Sequence, residues 1–211
     1  MSGFVITEDT MKPPEGYGTG LIERKYDQCP VGYNSKPFSL PILSKTKQAE
    51  LLAEIKARKG SLRDIRRRYL GGNPIPSTNQ EQTNYCWSYS STSAVMLKRA
   101  YQGEPHTQLS GAANAAKIKN FKNVGGWGSQ SLERSAEFGI PDVNHWAEGN
   151  AGLNRHWDSE ETWKNASKNR VQEWMDLEPR NVDQMITCVL LGIPVVSDFN
   201  WWGHSVCTME I

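Results

Sequence analysis

Apolar positions along the chain fall into short groups with helical or alternating spacing, separated by turn residues. The stretch from Ser44 to Gly60 places Leu51, Leu52 and Ile55 on one helical face. Ser44 is suited to cap its first turn, basic residues crowd its last, and Gly60 follows, so a helix is predicted there. From Cys86 to Tyr101, small residues run between Trp87, Tyr89, Val95, Met96 and Leu97. This predicts a closely packed, buried central helix that ends at Gly103. Further helices are predicted over 129–138, closed by Gly139, and over 167–175. A helix over 185–191 leads into a buried strand over 192–197, and a last strand is predicted over 205–211. Helices come first and strands last, which makes the fold class α+β.

Residues 1–44 break these patterns. Pro13, Pro14, Pro30, Pro37, Pro41 and several glycines interrupt any apolar period, so the segment reads as an extended arm that needs a surface to lie on. Gly71 to Asn79 is rich in turn residues, and beyond it the chain becomes rich in tryptophan and small side chains. A boundary there divides the sequence into an arm with a basic helix, 1–70, and a domain, 71–211. No internal repeat of about 20 to 50 residues is visible.

Composition narrows the class. With 211 residues, 37% hydrophobic, 22% charged and a net charge of +1, the chain is neither collagen-like, coiled-coil nor disordered overall. No apolar run reaches the roughly 18 residues a spanning helix needs, and the first ten residues lack a signal-peptide pattern. A cytoplasmic location and no membrane partner are therefore expected. Lys45 to Leu70 holds nine Lys or Arg against three Asp or Glu. This reads as a solvated helix face and an ion-pairing surface for the more acidic remainder, rather than as a nucleic-acid site.

Cys29, Cys86, Cys188 and Cys207 are widely spaced, with no C-x-x-C pair and no zinc-ligand spacing, so neither metal nor cofactor is expected. Cys29, Cys188 and Cys207 read as structural thiols, and His106, His145 and His156 as surface or structural histidines. Cys86 differs because it opens a helix, where unpaired amides and the helix dipole favour a thiolate.

Gln80-Glu-Gln-Thr-Asn-Tyr-Cys86-Trp87-Ser88-Tyr89-Ser90 resembles the active-site segment of the papain family, in which a Gln precedes the nucleophilic Cys by six residues. Ile75-Pro76 and Asn79-Gln80 match the approach to it. Gly125-Gly126-Trp127 resembles the family's substrate-binding strand, and Ala136 to Ile140 the helix end that follows. Gly203-His204-Ser205-Val206 resembles the strand bearing the catalytic histidine. The four blocks stand in the family's order and cover about residues 75–211.

Two departures stand out. Where the family usually has a cystine, this chain has Thr83 and Asn123, a paired loss that fits a reducing compartment. The family also carries an Asn on a strand well after the histidine, whereas only seven residues follow His204 here, and Cys86 and His204 are 118 apart against about 130–150. A tail outside this chain, a partner chain completing the C-terminal sheet, or a papain-fold module without catalysis would each account for this. An open strand edge favours the first two.

The resemblance implies a cysteine peptidase acting on peptide or protein substrates. Cys86 would be the nucleophile and His204 its partner, with Gln80 (Gln82 as the less well spaced candidate) and the Cys86 backbone N–H facing the oxyanion. Gly125 and Gly126 would pair with extended substrate, and Trp127 and Trp202 would wall the main specificity pocket. Residues 1–70 would be an inhibitory propeptide or a docking arm. The alternatives are a noncatalytic component of a larger assembly such as a virion, and a thiol amidase or acyltransferase.

Overall fold

The computed structural model describes residues 18–24 and 35–211. Cys29 and the prolines at 13, 14 and 30 lie outside the described residues. Helix α1 (Lys45–Arg58) begins where Ser44 accepts the Lys47 N–H at 3.2 Å, and ends with Lys59 in the left-handed conformation. Helix α2 (Leu62–Arg68) follows at once, although its sequence carries no long apolar period. It is set by a reciprocal cap in which Ser61 accepts the Asp64 N–H and Asp64 accepts the Ser61 N–H.

The centre of the molecule is α3 (Cys86–Tyr101), eleven of whose sixteen residues are buried. That count explains its run of small side chains, because neighbours approach it on every side. Helix α4 (Gly111–Ile118) and helix α5 (Gly128–Glu137) lie against it. So does the antiparallel hairpin of β3 (Val195–Phe199) and β4 (His204–Thr208), in which Phe199 is opposite His204 and Asp198 opposite Ser205. The serines of α3 act as fasteners. Ser90 Oγ meets Ser205 Oγ at 2.7 Å, Ser91 Oγ donates to the Gly128 carbonyl at 3.2 Å, and Ser131 Oγ donates to Ser88 Oγ at 3.2 Å.

The N-terminal part is bound into this body. Leu62 of α2 packs with Leu97 and Val189, and Val189 belongs to helix α7 (Val182–Leu190), which also packs on α1. Strand β1 (Ser35–Pro37) pairs in parallel with β2 (Trp174–Asp176).

The helix expected over 167–175 is not formed. Helix α6 (Glu160–Ala166) starts earlier, where Ser159 Oγ accepts the Thr162 N–H at 3.2 Å and Glu160 and Glu161 occupy the positive first turn. A 3-10 turn, Ser167–Asn169, ends it, fixed by the buried Asn169 amide donating to the Ile140 carbonyl at 3.0 Å. The chain then extends so that Trp174 is buried and β2 can pair.

Candidate active site

Cys86 is the first residue of α3, and its neighbours are set by a tight turn before it. Thr83 Oγ1 donates to the Gln80 carbonyl at 2.7 Å, and Trp87 Nε1 donates to the Asn84 carbonyl at 3.0 Å. Asn123 holds this turn from the other side. Its Oδ1 accepts the Asn84 N–H at 2.6 Å and its Nδ2 donates to the Gln82 carbonyl at 3.1 Å. Hydrogen bonds from Asn123 to the residues on either side of Thr83 thus join the two segments that a cystine usually joins in the family.

Across a cleft of about 360 Å³, β4 presents His204. Gln80, Cys86, Ser90, Trp202, His204 and Ser205 share its walls. The Trp202 ring lies edge-on to the His204 ring at 4.5 Å. Four of the residues singled out from the sequence, Gln80, Cys86, Trp202 and His204, are therefore neighbours in space. Gln82 is not among the residues lining the cleft. Trp127 is not among them either; it precedes α5, with Lys119 Nζ 5.5 Å from its ring centroid. Of the other histidines, His145 is held by Asp142 at 2.7 Å and His156 lies beside Trp157. Cys188 is buried and Cys207 is half-buried in the wall of the same cleft, and burial pushes their thiol pKa values up to about 11 and about 12.

One wall of the cleft comes from the N-terminal arm. The Gly18 carbonyl accepts Gln80 Nε2 at 2.6 Å, and the Leu21 N–H donates to the Gly203 carbonyl at 3.1 Å. Gly126 N–H donates to the Gly20 carbonyl and the Gly126 carbonyl accepts the Ile22 N–H, both at 2.9 Å, which makes a parallel bridge between Leu21 and Gly126. The approach requires glycine at residue 20, because a Cβ there would fall on the Asn84 carbonyl. At Gly125 a Cβ would run into the Gly20 carbonyl in turn.

Burial governs the electrostatics. Cys86 is only 1% exposed. Burial raises its thiol pKa, outweighing backbone N–H groups of Gly20, Ser205 and Trp87 that point at the sulfur and favour the thiolate, and nearby Asp198 raises it further. Burial likewise lowers the pKa of His204, whose Nδ1 is shielded and has no hydrogen-bond partner among the described residues. In this closed arrangement both groups are driven toward their neutral forms. The lowered thiol pKa expected from the helix start alone is overridden by desolvation.

No family model and no curated protein sequence matches the chain. Among solved structures it is similar to xylellain, a cysteine protease from Xylella fastidiosa, with a TM-score of 0.60 at 15% identity over 88% of this chain and 67% of that one. A digestive procathepsin L 3 from the larval midgut of Tenebrio molitor aligns with a TM-score of 0.42 at 18% identity, over 68% of this chain and half of that one. The chain has a divergent papain-like cysteine protease fold, with the cysteine on the helical half and the histidine on the β half.

Proposed function

We propose that the protein is a cysteine peptidase held latent by its own N-terminal arm. The observation that carries this reading is the use of one set of groups for two purposes. Gln80 Nε2, both backbone groups of Gly126 and the Gly203 carbonyl are the polar groups an extended peptide would need beside Cys86, and residues 18–22 take all of them.

With the arm displaced, water enters the cleft and the desolvation that keeps both groups neutral is relieved. His204 then takes the Cys86 thiol proton. The thiolate adds to the peptide carbonyl carbon, and the oxygen, now negative, faces Gln80 Nε2 and the Cys86 N–H. The C–N bond breaks as His204 passes its proton to the departing amine. Water, deprotonated by His204, adds to the thioester, and the carboxylic acid leaves as Cys86 is restored.

A noncatalytic component of an assembly is the second reading, favoured by the unpartnered Nδ1 of His204. Incubation of wild type, Gly20→Ala and Gly20→Ala/Cys86→Ser proteins with a peptide mixture separates the two, with new peptide termini read by mass spectrometry. The peptidase reading expects new termini from Gly20→Ala, far fewer from wild type, and none without Cys86. Identical peptide patterns from all three would favour the assembly component.

A further inference from the structure

Just beyond the residues that pair with Gly126, the arm inserts Arg24 into an acidic recess. Its Nη1 is 2.7 Å from Asp176 Oδ2, with the arginine side chain 9% exposed and the aspartate side chain 20%. Asp198 is the second carboxylate there. It keeps an open face to solvent on β3, accepts hydrogen bonds from the Ser205 hydroxyl and the Gly128 N–H, and lies within electrostatic reach of Arg24, Asp176 and Cys86.

This juxtaposition has a charge consequence. Asp176 pairs directly with the guanidinium and Asp198 lies within its electrostatic reach, so removal of the arm takes this cation away from two carboxylates, one of which is also within electrostatic reach of Cys86. Asp176, the more shielded of the two, is costly to leave without its cation, and a planar guanidinium matches carboxylate geometry better than any other side chain. Gly128, which donates to Asp198, lies two residues from Gly126, so the recess is reached from the strand that an extended peptide would follow.

We infer that the Asp176–Asp198 recess is a specificity subsite for a basic side chain, arginine above all, of a peptide substrate, and that Arg24 occupies it as the resident surrogate. The inference rests on the peptidase reading. Its observable is binding, however, which does not depend on the thiol chemistry.

The test titrates Nα-acetyl-arginine amide, and its neutral near-isostere Nα-acetyl-citrulline amide, into the full chain carrying Arg24→Ala, followed by NMR shift changes. The arginine compound should bind roughly tenfold or more tightly than citrulline. Adding Asp176→Asn or Asp198→Asn should shrink that preference, and wild type, with its recess filled, should bind both weakly. Equal affinity of the two compounds for Arg24→Ala would overturn the subsite, as would a preference unchanged by both Asn substitutions together. If Arg24→Ala does not fold, Arg24→Gln, which keeps the length and loses the charge, gives the same reading. Arginine preference without Cys86-dependent hydrolysis would leave the subsite standing and remove the peptidase reading. Hydrolysis without arginine preference would do the reverse.

Discussion

The Gly18 carbonyl oxygen sits 2.6 Å from Gln80 Nε2, where the chemistry proposed here would place the developing oxyanion. The same amide also donates to the Thr83 carbonyl at 2.9 Å, so its direction is fixed before any substrate arrives. Gln80→Ala should lower kcat of an arm-released protein by about 100- to 1,000-fold, the usual loss for one oxyanion donor. Peptide hydrolysis measured in the Gly20→Ala background checks this, and an unchanged kcat would remove Gln80 from the reaction.

Under the latent-peptidase reading Gly20 controls access. Alanine there would place its Cβ on the Asn84 carbonyl, so the arm must move away from the sulfur it covers. Gly20→Ala should raise the rate of Cys86 alkylation by neutral iodoacetamide about tenfold or more, since each factor of ten requires only about 1.4 kcal/mol of displaced contact. Peptide mass mapping gives the rate directly. A rate equal to that of wild type would mean the arm does not limit access.

Ser90 and Ser205 join the two halves of the cleft through a buried 2.7 Å contact. Ser90→Ala leaves the Ser205 hydroxyl without one of its partners and should cost about 1–3 kcal/mol of stability. Denaturant unfolding measures that loss, and a cost near zero would show that the contact does not hold β4 on α3.

Leu62 is 1% exposed against Leu97 and Val189, so α2 belongs to the core of the domain. Leu62→Ala should destabilise the whole chain by about 2–5 kcal/mol through lost burial and the cavity left behind. The shift in a single cooperative unfolding transition is the readout. Separate melting of the N-terminal segment, with the remainder unaffected, would contradict it.

Stability should also depend on pH through the cleft. His204 has its pKa lowered by folding, so the unfolded chain takes up a proton that the folded chain resists, and stability contributed by this group is lost as pH falls below about 6.5. Cys86 has its pKa raised, so the unfolded chain ionises first and stability is lost as pH rises above about 8.5. Thermal melts of wild type against His204→Gln isolate the acid limb. That limb should flatten in the variant.

The cleft was legible in the sequence because its signals are local. A cysteine at a helix start, a glutamine six residues earlier and a Gly-His-Ser-Val strand are short patterns, and α3 and β4 bring them together. Helix α2 carried the Ser61-x-x-Asp64 cap signature but was hidden by its brevity and its arginines. The segment over 167–175 looked helical by spacing, yet the cap lay upstream at Ser159 and the pull of β1 on Trp174 decided the rest. Nothing local announced the docking of the arm. Gly18 meets Gln80 across 62 positions, Gly20 meets Gly126 across more than 100, and Arg24 meets Asp176 across more than 150. Turn-like glycines in a proline-rich arm do not reveal that they fit a narrow gap beside a sulfur. The desolvation that overrides the helix-start effect on Cys86 is a property of the packed cleft, and was equally hidden.

The most direct measurement is the rate of Cys86 alkylation from about pH 4 to 9 in wild type, Gly20→Ala and Gly20→Ala/His204→Ala. Wild type should label slowly and only toward alkaline pH, because the buried thiol resists ionisation. Gly20→Ala should label rapidly and selectively at Cys86 well below the ordinary thiol range, and His204→Ala should abolish that low-pH reactivity. Labelling of Gly20→Ala that begins only near pH 8.5 and ignores His204 would mean an ordinary thiol under the arm, and would contradict the latent peptidase.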